Sequence, residues 1–232
     1  MKDLGELRYF LAIEFARSKE GILMHQRKSA LELISETGLG AAKPAMPPMD
    51  INVKFTNKEY DDHVFNDTNQ AEPIVDQGSY QRLIRKLLYV TVTRPYISFC
   101  FQNLSQYLQA PKKSHMEEAL RIVKYLKKQQ DQGVLLSSNK NNVIAAYCDA
   151  DWVACPNSRK SVTSYAIKMG YSLIIWKSKK QTTVFKSSAE AEYRSLASTM
   201  AKIVWIVELI KELGIDVTLM SRCIVIVRLQ YK

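Results

Sequence analysis

The chain has 232 residues, 47% of them hydrophobic, enough to bury a core in one or two domains and too many for wholesale disorder. No apolar run approaches the ~20 residues that span a bilayer, and the opening MKDLGELRYF is too charged for a secretory leader, so an intracellular protein with no membrane association is expected. The net charge of +10 favours polyanionic partners, nucleic acid first, against the plainer reading of a basic solvated surface; four cysteines without a CxxC pair and three scattered histidines argue against zinc.

In chain order, LRYFLAIEFAR reads as a strand, SKEG (18–21) as a turn, and ILMHQ as the returning strand. KSALELISETGL places Leu31, Leu33 and Ile34 at near-helical spacing, with Gly38 as the stop. From about residue 40 to 78 the chain is rich in Pro, Asn and Asp without a period, which predicts a long connector. Three helical segments follow. Ser79 is the expected cap of the first, and Pro95 limits its end. SFCFQNLSQYLQ is the second, stopped by Pro111. In SHMEEALRIVKYLKKQQ, Ser114 and Glu117 have capping-box spacing, and Met116, Leu120, Val123 and Leu126 form the apolar stripe.

Beyond Gly133 the texture changes. NVIAAYCDAD alternates as a strand, SVTSYAIKM and SLIIWKSKK form a hairpin around GYS, and a long helix runs from near Ser188 to about Leu213. The division expected is 1–40 (hairpin and helix), 41–78 (connector), 79–139 (helical region) and 140–232 (an α/β domain with its own sheet).

Two carboxylates stand out. Period two puts Asp149 at the exit of its strand, on the face of Ala145 and Tyr147. A turn aspartate is the alternative. On the long helix, Glu190 lies three residues after Ser187 and has a capping explanation, and it can also face Arg194 at i+4. Glu192 heads the stripe Leu196, Thr199, Ile203, Ile206, Ile210, where a carboxylate is costly unless compensated; a metal ion shared with another carboxylate, or escape to solvent, would each account for it.

LGELRYFLAIEFARSKEGILMHQRKSALELISETG, TRPYISF, YCDADWVACPNSRKSVTSYAI, WKSKKQTTV and SSAEAEYRSLA, in that order, resemble the C-terminal part of a copia-type long-terminal-repeat retrotransposon Pol polyprotein, from the start to about residue 216. The resemblance implies the end of a reverse-transcriptase palm with a primer-grip-like hairpin, a helical connection, and from about residue 140 a ribonuclease H-like mixed sheet with one long helix. In ribonucleases H, carboxylates hold two Mg²⁺ ions about 3.5–4 Å apart and hydrolyse RNA in an RNA–DNA hybrid. By motif match Asp149 and Glu192 are the catalytic and metal-binding pair, with Asp151 and Glu190 as second choices. Arg159 and Lys160 after the aspartate loop, and Lys177, Lys179 and Lys180 on the second hairpin strand, are candidate phosphate contacts. No obligate protein partner is implied.

Two parts of the family pattern are missing. The Tyr-x-Asp-Asp polymerase turn is absent, and YDDHVF at 60–65 lies downstream of the hairpin and does not replace it. The third ribonuclease H carboxylate, expected in a motif like Leu-Tyr-Cys-Asp-Asn-Gln-Ser-Ala, is replaced by SRCIVIVRLQYK. Codons chosen for Arg222 to Gln230 regroup, one frame over, into Leu-Tyr-Cys-Asp-Ser-Gln-Ala-Ala, with the Asp codon straddling Val225 and Ile226. A frameshift between about 216 and 222 is therefore expected, and an apolar strand in place of the acidic one. Family members also usually carry Gly at the positions of Arg85, Ala154 and Ser164, Asp at Tyr96 and Glu at Lys202. A decaying copy with little or no activity is the leading expectation. A non-catalytic nucleic-acid-binding relic and a weak Mg²⁺-dependent nuclease using Asp149, Glu192 and Asp151 are the alternatives.

Overall fold

The computed structural model describes residues 5–50, 53–64, 72–216 and 218–225. The chain clusters into two compact units, residues 1–16 with 23–134 and residues 17–22 with 135–232. The first is mainly helical and the second is built on a sheet and one long helix, an α/β chain overall.

The opening apolar run is two short strands rather than one. β1 (Tyr9–Phe10) turns at Leu11 and Ala12, both at positive φ, into β2 (Ile13–Ser18). The antiparallel register pairs Phe10 with Ile13. β3 (Gly21–His25) and β4 (Gly133–Ser137) complete a four-stranded sheet in the order β1-β2-β3-β4. A Cβ at Gly21 would stand 2.0 Å from the Leu136 carbonyl oxygen, so only glycine fits there.

α1 (Arg27–Glu36) buries Ala30, Leu33 and Ile34, while the expected Leu31 is exposed. Gly38 ends it at φ +68. The connector is not structureless: it holds α2 (Lys58–Val64) and sends Met49 and Phe55 into the core. α3 (Gln77–Val90) begins two residues before Ser79. Its cap is Asp76, whose carboxylate accepts from the Ser79 backbone N–H at 2.7 Å. α4 (Ser98–Leu104) follows, and α5 (Lys113–Lys128) also starts early: His115 Nδ1 accepts from the Lys112 N–H at 3.0 Å, displacing the expected Ser114–Glu117 box. Ser114 instead donates to Glu72 at 2.8 Å. Tyr80, Leu87, Ile97, Leu104, Ile122 and Leu126, each almost fully buried, centre this core.

In the second unit β5 (Val143–Asp151), β6 (Val162–Met169) and β7 (Ser172–Lys180) are antiparallel neighbours. β8 (Thr218–Val225) lies parallel to β5 on its other side, giving the order β7-β6-β5-β8. α6 (Ser188–Glu212) crosses the sheet. Parallel neighbours need a crossover, and α6 supplies it between β7 and β8.

Candidate functional site

β5 alternates as its sequence requires. Ile144, Ala146 and Cys148 are buried, and the first two pack with Ile167 of β6 against Ile203, Ile206 and Val207 of α6. Period two then assigns Tyr147, Asp149 and Asp151 to the opposite face. Pairing carries this assignment across the sheet. Asp149 stands opposite Ser164 and Ser164 opposite Ser178, and the two serine hydroxyls are hydrogen-bonded at 3.1 Å.

α6 starts on Ser187, whose hydroxyl accepts from the Glu190 N–H at 3.3 Å. The Glu190 carboxylate accepts from the Lys186 N–H at 3.0 Å, so this second-choice acid is exposed and engaged in closing the helix end. At about 100° per residue, Glu192 falls inside the arc set by Ala191, Ser195, Thr199 and Ile203, all buried. Glu192 itself is half-buried. The stripe counted from the sequence holds at Thr199, Ile203, Ile206 and Ile210; Leu196 is half-buried, and Ala191 and Ser195 join on one flank.

Neutral polar groups fix the helix to the sheet. The Ser195 hydroxyl donates to the Asp149 carbonyl at 2.9 Å. The Gln181 amide donates to the Ala191 carbonyl and to the Thr163 hydroxyl, both at 2.9 Å. Its backbone N–H donates to the Ser161 carbonyl at 2.8 Å. None of Ser195, Gln181 and Thr163 was singled out from sequence. The usable signal was a polar Ser195 and Thr199 four residues apart inside a buried arc.

Asp149 and Glu192 are therefore close in the chain's path but differently aimed. The Asp149 backbone is bonded to Ser195, three residues beyond Glu192, yet strand alternation sends the Asp149 side chain to the face that α6 does not cover. Asp151 shares that face at the end of β5. Among the described residues, no group of three or more His, Cys, Asp or Glu is placed to hold a metal ion. The residues present thus do not fit a complete two-ion site. β8, beside β5, contributes TLMSRCIV without a carboxylate, and Val225 is in register with Cys148, next to Asp149. Ile226 lies outside the described residues.

The basic candidates divide between the faces as well. Lys177 and Lys179 are opposite Tyr165 and Thr163, on the α6 side of edge strand β7, and are exposed. Lys180 is on the Asp149 side, where its ammonium lies 3.7 Å from the buried Cys155 sulfur. Burial pushes the Cys155 thiol up, but hydrogen bonds from Ser158 and the charge of Lys180 leave it lower than usual. Arg159 and Lys160 sit in the loop that closes on this cysteine: the Arg159 N–H donates to the Cys155 carbonyl at 2.8 Å and the Cys155 N–H to the Lys160 carbonyl at 3.1 Å. Arg159 (φ +54) is exposed and Lys160 half-buried. No helix among the described residues is long and apolar enough to cross a membrane.

The chain is 34% identical over 218 residues to the retrovirus-related Pol polyprotein from transposon RE2 of Arabidopsis thaliana and 35% identical over 218 residues to that from transposon RE1. Each match covers 94% of this chain but only 14% of the relative's length. It is also 30% identical over 205 residues to the uncharacterized mitochondrial protein AtMg00810 of the same plant, covering 88% of this chain and 80% of that one. No family model matches the chain. No solved structure matches it either.

Proposed function

Because this chain belongs to the copia-type retrovirus-related Pol polyproteins of transposons, we propose that its second unit has a ribonuclease H-like fold that no longer hydrolyses RNA in an RNA–DNA hybrid. The observation that carries this reading is the junction of α6 with β5. The Ser195–Asp149 bond sets the Glu192 helix across the strand bearing Asp149, as a ribonuclease H would require, while β8 brings no acid beside them. Two carboxylates without a third offset the dehydration and mutual repulsion of two Mg²⁺ ions poorly. The out-of-frame reading of the tail gives one cause for the missing acid: the strand was preserved in shape and lost its ligand. Asp149 and Glu192 are on this reading the ancestral catalytic pair, and Asp151 a neighbour of no separate role.

Cleavage of an end-labelled hybrid in Mg²⁺, compared with EDTA, tests the proposal. The rates should match. Robust Mg²⁺-dependent cleavage that Glu192→Gln abolishes would restore the enzyme.

A second reading, retention of nucleic-acid binding without hydrolysis, is favoured by the exposed Lys177 and Lys179 on β7 and Arg159 in the loop. Phosphate contacts release counterions, and each is worth a salt slope of about 0.7–0.9. Replacing Lys177 and Lys179 with Gln should flatten the dependence of hybrid affinity on salt by between one and two. An unchanged slope would make these charges solvated surface only.

A further inference from the structure

α6 has a second face, turned away from the sheet. Tyr193, Val204 and Trp205 are 73%, 60% and 54% exposed there, around the exposed alanines Ala197 and Ala201. Their positions are not arbitrary. Reflected about residue 201, Ala197 falls on Trp205 and Arg194 on Glu208. Each small or cationic position thus maps onto a bulky or anionic one. On the helix wheel Arg194 and Glu208 lie about 20° either side of Ala201, so both border one seam. The Arg194 side chain makes no ion pair among the described residues, and Glu208 is bonded only along its own helix, to Lys211 at 2.9 Å.

We propose that this face pairs with the same face of a second copy of the chain, α6 antiparallel to α6, on a two-fold axis at Ala201. Antiparallel pairing on a two-fold sets residue 201 − n of one helix beside residue 201 + n of the other. The alanines let the helices approach at the crossing, as ridge-into-groove packing needs. Trp205 of each copy covers Ala197 of the other, and Arg194 and Glu208 pair twice across the axis. Lys202, whose ammonium lies 4.9 Å over the Trp205 ring, borders the outside of the seam. One helix crossing buries less than the ~1,200 Å² of a stable interface, and the net charge of +10 opposes association. The dimer is accordingly weak, with a dissociation constant on the order of 100 μM.

Sedimentation equilibrium of the whole chain at physiological salt, from about 10 μM to 1 mM, tests this. The wild type should dimerise across that range. Arg194→Glu and Glu208→Arg should each weaken dimerisation at least tenfold, and the two together should return it to near the wild-type value. A wild type that stays monomeric at the upper concentration, single reversals that leave association unchanged, or a double variant that remains monomeric would each overturn the proposal. Both positions are on the surface, so far-ultraviolet circular dichroism should confirm an intact fold in every variant.

Discussion

The two units bury their polar groups in different ways. In the first, charged and titratable side chains go inside: Arg94 and His115 are fully buried and Lys112 almost so. Among the described residues of the second, the buried polar side chains are Ser161, Thr163, Ser178, Gln181, Ser195 and Thr199, all neutral. The difference follows from what each must hold. The first unit has helix ends and a long connector to tie down, and charge does this strongly. Arg94 donates to the carbonyls of Gln129 and Gln130, just past the last turn of α5, at 2.7 and 2.6 Å, and to the Tyr96 hydroxyl at 3.0 Å. Lys112 pairs with Asp61 and donates to Thr56 at 3.0 Å, fixing the connector to the start of α5. The second unit needs only to seat one helix on a sheet, and amide and hydroxyl groups suffice. Buried ions make a fold conditional on every partner being present and correctly protonated, and neutral pairs do not.

The largest effect expected from this contrast is at Arg94. Arg94→Met keeps much of the volume but leaves two helix-end carbonyls without donors, a loss of roughly 4 kcal/mol to the first unit. All three tryptophans, Trp152, Trp176 and Trp205, are in the second unit, so their fluorescence reports that unit while helical circular dichroism is weighted toward the first. In urea, Arg94→Met should advance the dichroism transition and leave the fluorescence transition in place. If both transitions move together, the units are one cooperative body and the contrast loses its consequence.

Much of this arrangement was legible in the sequence, and the misses share a cause. The strands β5, β6 and β7, the long helix with its Ser187 cap, and the buried stripe through Ile203 and Ile206 follow from period and capping chemistry alone. The helix caps at Asp76 and Lys112 differ from the expected Ser79 and Ser114 by three and two residues because each serine offers an equally good local cap; tertiary partners, Glu72 for Ser114 above all, decide between them. The turn at Leu11 and Ala12 was invisible because neither residue favours positive φ. At the site, the residues could be named but not aimed. Asp149 and Glu192 were each assigned to a face of their own element, and only the side on which α6 packs, set by Ile144 and Ala146, shows that the two faces differ.

The next effect is on acid. Burial chiefly, with the Lys112 charge, pushes the His115 imidazole down to about 4. It is packed between Tyr107, stacked at 3.9 Å, and Phe55 at 5.5 Å. A folded-state value below the unfolded one means that the unfolded chain takes up the proton first as pH falls. Stability is thus fully present above about 6.5 and is lost progressively down to about 4, by up to roughly 3 kcal/mol. Burial pushes the Asp61 carboxyl up, but hydrogen bonds from Lys112 and Thr56 leave it lower than usual, so its contribution persists above the ordinary carboxylate range and is lost further into acid. Both losses fall on the first unit. Between pH 6.5 and 4 the dichroism midpoint in urea should fall while the tryptophan midpoint moves little. A dichroism midpoint flat over that range would show that His115 reaches water before the unit unfolds.

The smallest effect should not distinguish the units at all, which makes it the control on the others. Ala12 of the first unit and Val153 of the second stand at φ +63 and +55, where a Cβ crowds the following carbonyl at a cost of about 1 kcal/mol. Val153 is half-buried, so its replacement by glycine alone would mix backbone relief with lost packing. Comparing Val153→Gly with Val153→Ala removes the same side chain from both and leaves only the Cβ. Glycine should be the more stable of that pair by about 1 kcal/mol, and Ala12→Gly should exceed the wild type by a similar amount, less glycine's larger entropy in the unfolded chain. The first should register in fluorescence and the second in dichroism, each independent of pH from 4 to 8. Strain is a property of the local backbone, whereas the Arg94 and His115 effects depend on what surrounds them. Unequal gains, or a gain at Ala12 that vanishes in acid, would mean that the turn at residues 11 and 12 is coupled to the buried charges of its unit.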